Sequence, residues 1–212
     1  MKRFFSFVPK KALIALAVLV SVIGIGAATQ AAFGPDRPTF TMQKPATYVT
    51  FNSITDNPVA GDERAFLKGA KPGAAAFGDP VTNVVDGEEV TVQMYVHNNA
   101  ASNLNLKANN TTVRVALPTG SKQTQTLTGY ISADNATPKT VSDTLDITGA
   151  NNGFMEIAYV PGSASYKNNV GTFKLSDSIV TTGAQVGYDQ MSGVLPGCSE
   201  FSGWVTLKVK IN

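Results

Sequence analysis

The sequence predicts an all-β body of antiparallel sheets behind an apolar N-terminal helix. Three observations carry this. Apolar and polar residues alternate with a period of two in several runs, the pattern of a strand with one buried face. Turn-forming pairs such as Asp86-Gly87, Pro161-Gly162 and Pro196-Gly197 separate those runs. Beyond residue 32, no stretch of eleven or more residues keeps a helical period.

Taken in order, the first element is residues 1–32. Lys2, Arg3, Lys10 and Lys11 precede an uncharged apolar run at 12–28, and small residues follow at Ala28, Thr29, Ala31 and Ala32. This basic, apolar, small order is that of a secretory signal peptide. Cleavage after Ala28 or Ala31 would release the body. Left uncut, the run reaches the lower limit for a membrane-spanning anchor, about 17 residues, with its basic end in the cytoplasm. No cysteine follows the run, which excludes a lipid-modified start. Pro35, Pro38 and Pro45 then predict an extended, proline-rich tether over 33–46.

Residues 47–212 read as one β domain. The clearest strands are 89–97, 112–117 and 204–211. In the first, Val90, Val92, Met94 and Val96 share one face, and Thr91, Gln93, Tyr95 and His97 share the other. In the last, Val205, Leu207, Val209 and Ile211 alternate with Trp204, Thr206, Lys208 and Lys210. Such alternation suits antiparallel sheets that bury one side and wet the other. Weaker strand signals lie at 48–52, 123–132, 140–148, 154–160, 172–175 and 185–188. The one helix candidate is 62–69 (DERAFLKG). About eight or nine short strands with this punctuation predict an immunoglobulin-like antiparallel β-sandwich.

Composition narrows the function. The 17 basic residues outnumber the 15 acidic ones, but four basic and no acidic residues lie before residue 33, so the body carries 13 against 15. It has no basic stripe, which argues against a nucleic-acid partner. One cysteine, Cys198, and one histidine, His97, exclude an internal disulfide and a cysteine–histidine zinc site of four such ligands. A Cys198–His97 dyad would need the two residues to meet in space. Glu88 and Glu89 are adjacent and so point to opposite faces of a strand, which rules them out as a facing glycosidase pair.

Two groups of residues are candidate sites. Asp56, Asn57, Asp62 and Glu63, with Asn52 nearby, place oxygen-bearing side chains densely enough to wrap Ca²⁺. The same residues would also serve as turn and helix caps. Trp204, Tyr95 and His97 fall on the predicted solvent faces of their strands. If those strands pair, the rings form a platform on which a sugar could stack.

Several motifs carry a resemblance: 51–64 (FNSITDNPVAGDER), 95–99 (YVHNN), 130–138 (YISADNATP), 159–164 (YVPGSA), 175–180 (LSDSIV) and 187–198 (GYDQMSGVLPGC). Together they resemble an uncharacterised exported bacterial family, similar to the β-sandwich repeat domains of unknown function in bacterial cell-surface proteins. The resemblance spans about residues 45–212 and implies a sandwich at the cell surface, with no catalytic residue to transfer. The expectation is therefore an exported, non-catalytic structural or adhesive protein, extracellular or on the cell surface. Its partner would be a cell-envelope or surface protein or glycan, and it would meet the membrane only through residues 1–32. The alternative is a glycan-binding module, with Ca²⁺ as a possible aid.

Overall fold

The computed structural model describes residues 33–212, and the expected export segment at 1–32 lies outside them. The described chain is all-β, with thirteen strands: β1 (Leu67–Ala70), β2 (Val81–Val84), β3 (Glu89–Val96), β4 (Lys107–Ala108), β5 (Thr112–Ala116), β6 (Thr124–Ser132), β7 (Thr140–Gly149), β8 (Ile157–Tyr159), β9 (Ser165–Lys167), β10 (Thr172–Lys174), β11 (Ala184–Gln185), β12 (Leu195–Pro196) and β13 (Gly203–Ile211). One sheet runs β1-β3-β13-β9-β10, with β8 also paired to β13. A second runs β11-β5-β6-β7-β2, and β12 and β4 form a two-stranded ribbon.

The two large sheets are held together by the alternating rows. Val90, Val92, Met94 and Val96 of β3 and Val205, Leu207, Val209 and Ile211 of β13 are all buried, and they join one core with Val113, Val115, Leu127, Ile131, Val141, Leu145 and Ile147 of the second sheet. Gly129 shows how closely the layers approach. A Cβ there would sit 2.9 Å from Met94 Cε and 3.1 Å from a Leu67 methyl on the opposing sheet. The hairpin β6–β7 pairs over nine residues, and β3–β13 over eight. These are the long ladders on which the shorter strands are laid.

Three features differ from the sequence expectations. Residues 62–69 do not form a helix: Asp62 to Arg64 make a turn, and Leu67–Ala70 is β1, paired to β3. The apolar core-facing Phe66 and Leu67 outweigh the local helical pattern by burying against both sheets. The second sheet is mixed rather than wholly antiparallel, because β2 joins β7 in parallel. Residues 33–46 are docked on the body rather than standing off it as a tether. Gly34 bridges to Ser142 of β7, and Phe40 bridges to Ile54. Arg37 donates to Ser53 Oγ at 2.9 Å and to the Asn52 carbonyl at 2.8 Å. The segment also turns at Met42–Gln43, inside a bridge between Thr41 and Lys44, and its polar groups find partners on the domain.

The row on β7 contains one carboxylate where an aliphatic residue would be expected. Asp143 points inward between Val141 and Leu145 and is fully buried. Its oxygens accept from the backbone N–H of Leu67 (2.7 Å) and of Thr144 (2.9 Å). Burial dominates over these donors and pushes the carboxyl up to about 7 from its ordinary 3.8. The folded state therefore holds this proton more tightly than the unfolded chain. The stability it contributes is complete below about pH 4 and is lost as pH rises through about 7. At 1.36 kcal/mol per unit, the Asp143→Asn variant should gain up to about 4 kcal/mol on the parent between pH 4 and pH 8. Urea titrations of both proteins across that range check this, and a difference independent of pH refutes it.

Candidate functional site

Two regions near the start of β13 collect the residues singled out from the sequence. The first is a groove on the outer face of the six-stranded sheet. Trp204 of β13 sits directly across from Tyr95 of β3 in the ladder, and their rings lie 4.6 Å apart between centroids. Trp204 is half-buried and lines an open groove of about 610 Å³. Ser199 and Glu200 of the 3-10 turn Ser199–Phe201 also line it, and Gln93 of β3, Thr206 of β13, Ser165 and Lys167 of β9 and Thr172 of β10 furnish its polar walls. Each projects outward because it occupies the alternate position of its strand to a core residue. Ser165 and Thr206 hydroxyls lie 2.9 Å apart and so order one another.

Tyr95 and His97 are not on the solvent surface, contrary to the prediction from alternation. They are 4% and 2% exposed. Their face of β3 is outward with respect to the sheet but is covered by the segment leading into β1. Phe51 pairs with Asn98, and the Asn52 N–H donates to the His97 carbonyl at 3.1 Å, which extends the sheet over this end of β3. Tyr95 thus forms a hard backing for Trp204 rather than a second exposed ring. Burial raises its phenol above the ordinary value.

Beneath that cover lies a buried polar cluster centred on Glu63, itself 1% exposed. Its Oε1 accepts from Asn57 Nδ2 at 2.6 Å and lies 2.8 Å from His97 Nδ1, and its Oε2 accepts from Asn99 Nδ2 at 2.7 Å. Asn57 Nδ2 also reaches the Tyr95 hydroxyl at 3.2 Å. Asn52 completes the frame by donating to the Tyr95 carbonyl and accepting from the His97 N–H. His97 Nδ1 lies 2.8 Å from a Glu63 carboxylate oxygen and 2.9 Å from Asn99 Nδ2, and the carboxylate contact favours a proton on Nδ1. With the proton there, Nε2 is an acceptor. It is buried and has no hydrogen-bond partner among the described residues, a state that costs about 1–3 kcal/mol.

His97 and Cys198 line one cavity of about 110 Å³, together with Met42, Asn99, Ser102 and Ser199. Asn98 holds the two strands of chain in place, its carbonyl accepting from the Cys198 N–H at 3.2 Å and its Nδ2 donating to the Leu195 carbonyl at 3.0 Å. Cys198 is half-buried, and its backbone adopts φ 123°, ψ 146°, a region that only glycine enters without strain. The two residues therefore share a cavity without a direct hydrogen bond, since Nε2 is unpartnered. The sequence offered both residues but nothing to bring them together.

The four residues expected around Ca²⁺ are each otherwise engaged. Asp56 accepts from the Met42 N–H at 2.8 Å, and Asp62 forms a salt bridge with Arg64 at 2.6 Å. Asn57 and Glu63 are bound within the cluster just described. Among the described residues, no three His, Cys, Asp or Glu side chains are arranged to hold a metal ion. The oxygens that were read as one shell serve three separate turns and contacts.

The chain matches no family model, no curated protein and no solved structure.

Two outcomes follow from this geometry. Glu63→Ala strips three donors of their buried acceptor and should destabilise the fold by about 3–5 kcal/mol in urea unfolding. A loss under 1 kcal/mol would show that the cluster is not as dry as described. The melting temperature should be the same in Ca²⁺ and in EDTA, and a shift abolished by Asp56→Ala would restore the calcium reading.

Proposed function

We propose that the chain is an exported, non-catalytic adhesive β-sandwich of the immunoglobulin-like class that works at the cell surface and binds glycans through the outer face of its six-stranded sheet. One observation carries the glycan assignment: Trp204, its ring packed on Tyr95 at a 46° tilt, lies in an open groove walled by amide, hydroxyl and ammonium side chains. A pyranose presents an apolar face that stacks on an indole and a rim of hydroxyls that need both donors and acceptors. Gln93, Ser165, Thr206 and Lys167 provide those groups around the ring. The groove is open to solvent, as a polymer chain or a branched surface glycan would require, rather than closed around a small molecule.

Export rests on the basic, apolar and small-residue order of residues 1–32 and on the net acidic, polar body. The two facing sheets support the immunoglobulin-like assignment. An adhesive role agrees with a rigid ladder of β3 and β13 beneath the binding face, because a preformed site loses little entropy on binding.

Glycan-array screening of the purified chain tests the assignment, followed by calorimetry on the strongest hit. Trp204→Ala should lower affinity at least tenfold, while Trp204→Phe retains part of it. Lys71, remote from the groove, provides a control substitution (Lys71→Ala) that leaves binding unchanged. Binding that survives Trp204→Ala, or the absence of any hit with correctly folded protein, defeats the proposal. Cell fractionation with N-terminal sequencing tests export, and intact protein in the cytosol would end that part of it.

A further inference from the structure

The cavity between His97 and Cys198 is separate from the groove and unused by glycan binding. We propose that it is a soft-metal site for a cuprous ion, with His97 Nε2 and Cys198 Sγ as the principal ligands and the Met42 thioether as the third donor. Three observations support this.

The first is the state of His97. Its imidazole is 2% exposed, with Nδ1 fixed by Glu63 and Nε2 left without a partner while the ring lines the cavity. A carboxylate on one ring nitrogen and a bare lone pair on the other is the arrangement that orients a histidine toward a metal. Asn57 and Asn99 in turn hold the carboxylate, so the ring cannot swing to satisfy Nε2 elsewhere.

The second is the state of Cys198. Its positive φ would be free of strain in a glycine, and Gly197 precedes it in a position where a Cβ would collide with Ala100. A cysteine in such a backbone carries strain that a glycine would not. Strain of this kind concentrates at ligand clamps.

The third is the donor set. Imidazole nitrogen, thiolate and thioether are borderline-to-soft ligands, a combination that selects Cu(I) over Ca²⁺ or Mg²⁺. The remaining wall mixes apolar Pro45, Ile54 and Ala100 with Asn99, Ser102 and Ser199, and carries no carboxylate that would favour a hard cation. His97 and Cys198 make no direct hydrogen bond, which leaves their lone pairs open to an ion between them. Binding displaces the thiol proton to solvent and changes no oxidation state, so it needs no further reactant.

The test is anaerobic competition for Cu(I) between the full chain in detergent micelles and a chromophoric chelator. The parent should take one equivalent. Cys198→Ser and His97→Ala should each lower affinity at least a hundredfold, Met42→Leu about tenfold, and Glu63→Gln about 10–100-fold through the orientation of His97. Circular dichroism identifies any variant that fails to fold. Because His97→Ala removes a buried partner of Glu63, a measurement on the parent stands beside it. Cys198 is the sole cysteine, so Cu(I) should protect the chain from alkylation by iodoacetamide, read as intact mass. No uptake by the parent, equal uptake by folded His97→Ala, or alkylation unaffected by Cu(I) would each overturn the proposal. Rapid alkylation that depends on His97 in the absence of uptake would also overturn it and mark Cys198 as a nucleophile instead.

Discussion

The Glu63 carboxylate has no access to solvent, so each of its lone pairs must be met from within the protein. Asn57, Asn99 and His97 meet them, and these residues come from the covering segment and from the chain just beyond β3. The cluster therefore fastens irregular backbone over the end of a regular sheet. Much else depends on that fastening. It buries Tyr95, which backs Trp204. It fixes the His97 ring, and through Asn98 it sets the path of the chain at Leu195 and Cys198. A buried ionisable cluster of this kind is a poor source of net stability but a strong constraint on geometry, because any misplacement leaves a charge or a donor unpaired.

Two regions with different physics result. On the outer sheet face the groove is open, polar and preformed, with its side chains set by strand alternation. Under the cover the cavity is small, partly apolar and defined by side chains that cannot relax. The 3-10 turn Ser199–Phe201 borders both, with Ser199 lining each. Occupation of one thus takes place within a residue of the other.

The sequence made the long strands legible. β3, β5 and β13 follow the period-two rows, and the inward residues are those the pattern assigns. β6 and β7 were visible within a residue or two of their ends. Short strands such as β1, β2, β4, β9 and β12 were not, because two to four residues cannot display a period and their pairing is decided by distant partners. Alternation also tells only which side of a sheet a residue is on. It placed Tyr95 and His97 on the side away from the core row, and could not reveal that Asn52, Asn57 and Glu63 pack against them. The segment at 56–63 is similar: composition shows oxygen-rich residues, and only the fold shows that Arg64, His97, Asn99 and a backbone N–H are partners of its carboxylates.

The lengths of the outermost strands have one more consequence. β1, β10, β11 and β2, which terminate the two large sheets, have four, three, two and four residues, against eight to ten in β3, β6, β7 and β13. Each edge thus offers only a few unpaired backbone groups, and Gly78 already occupies part of the β1 edge by bridging to Gly69. A second copy would find little template on which to add a strand. Such blunt borders guard against neighbouring molecules zipping into fibrils while leaving the broad sheet face free.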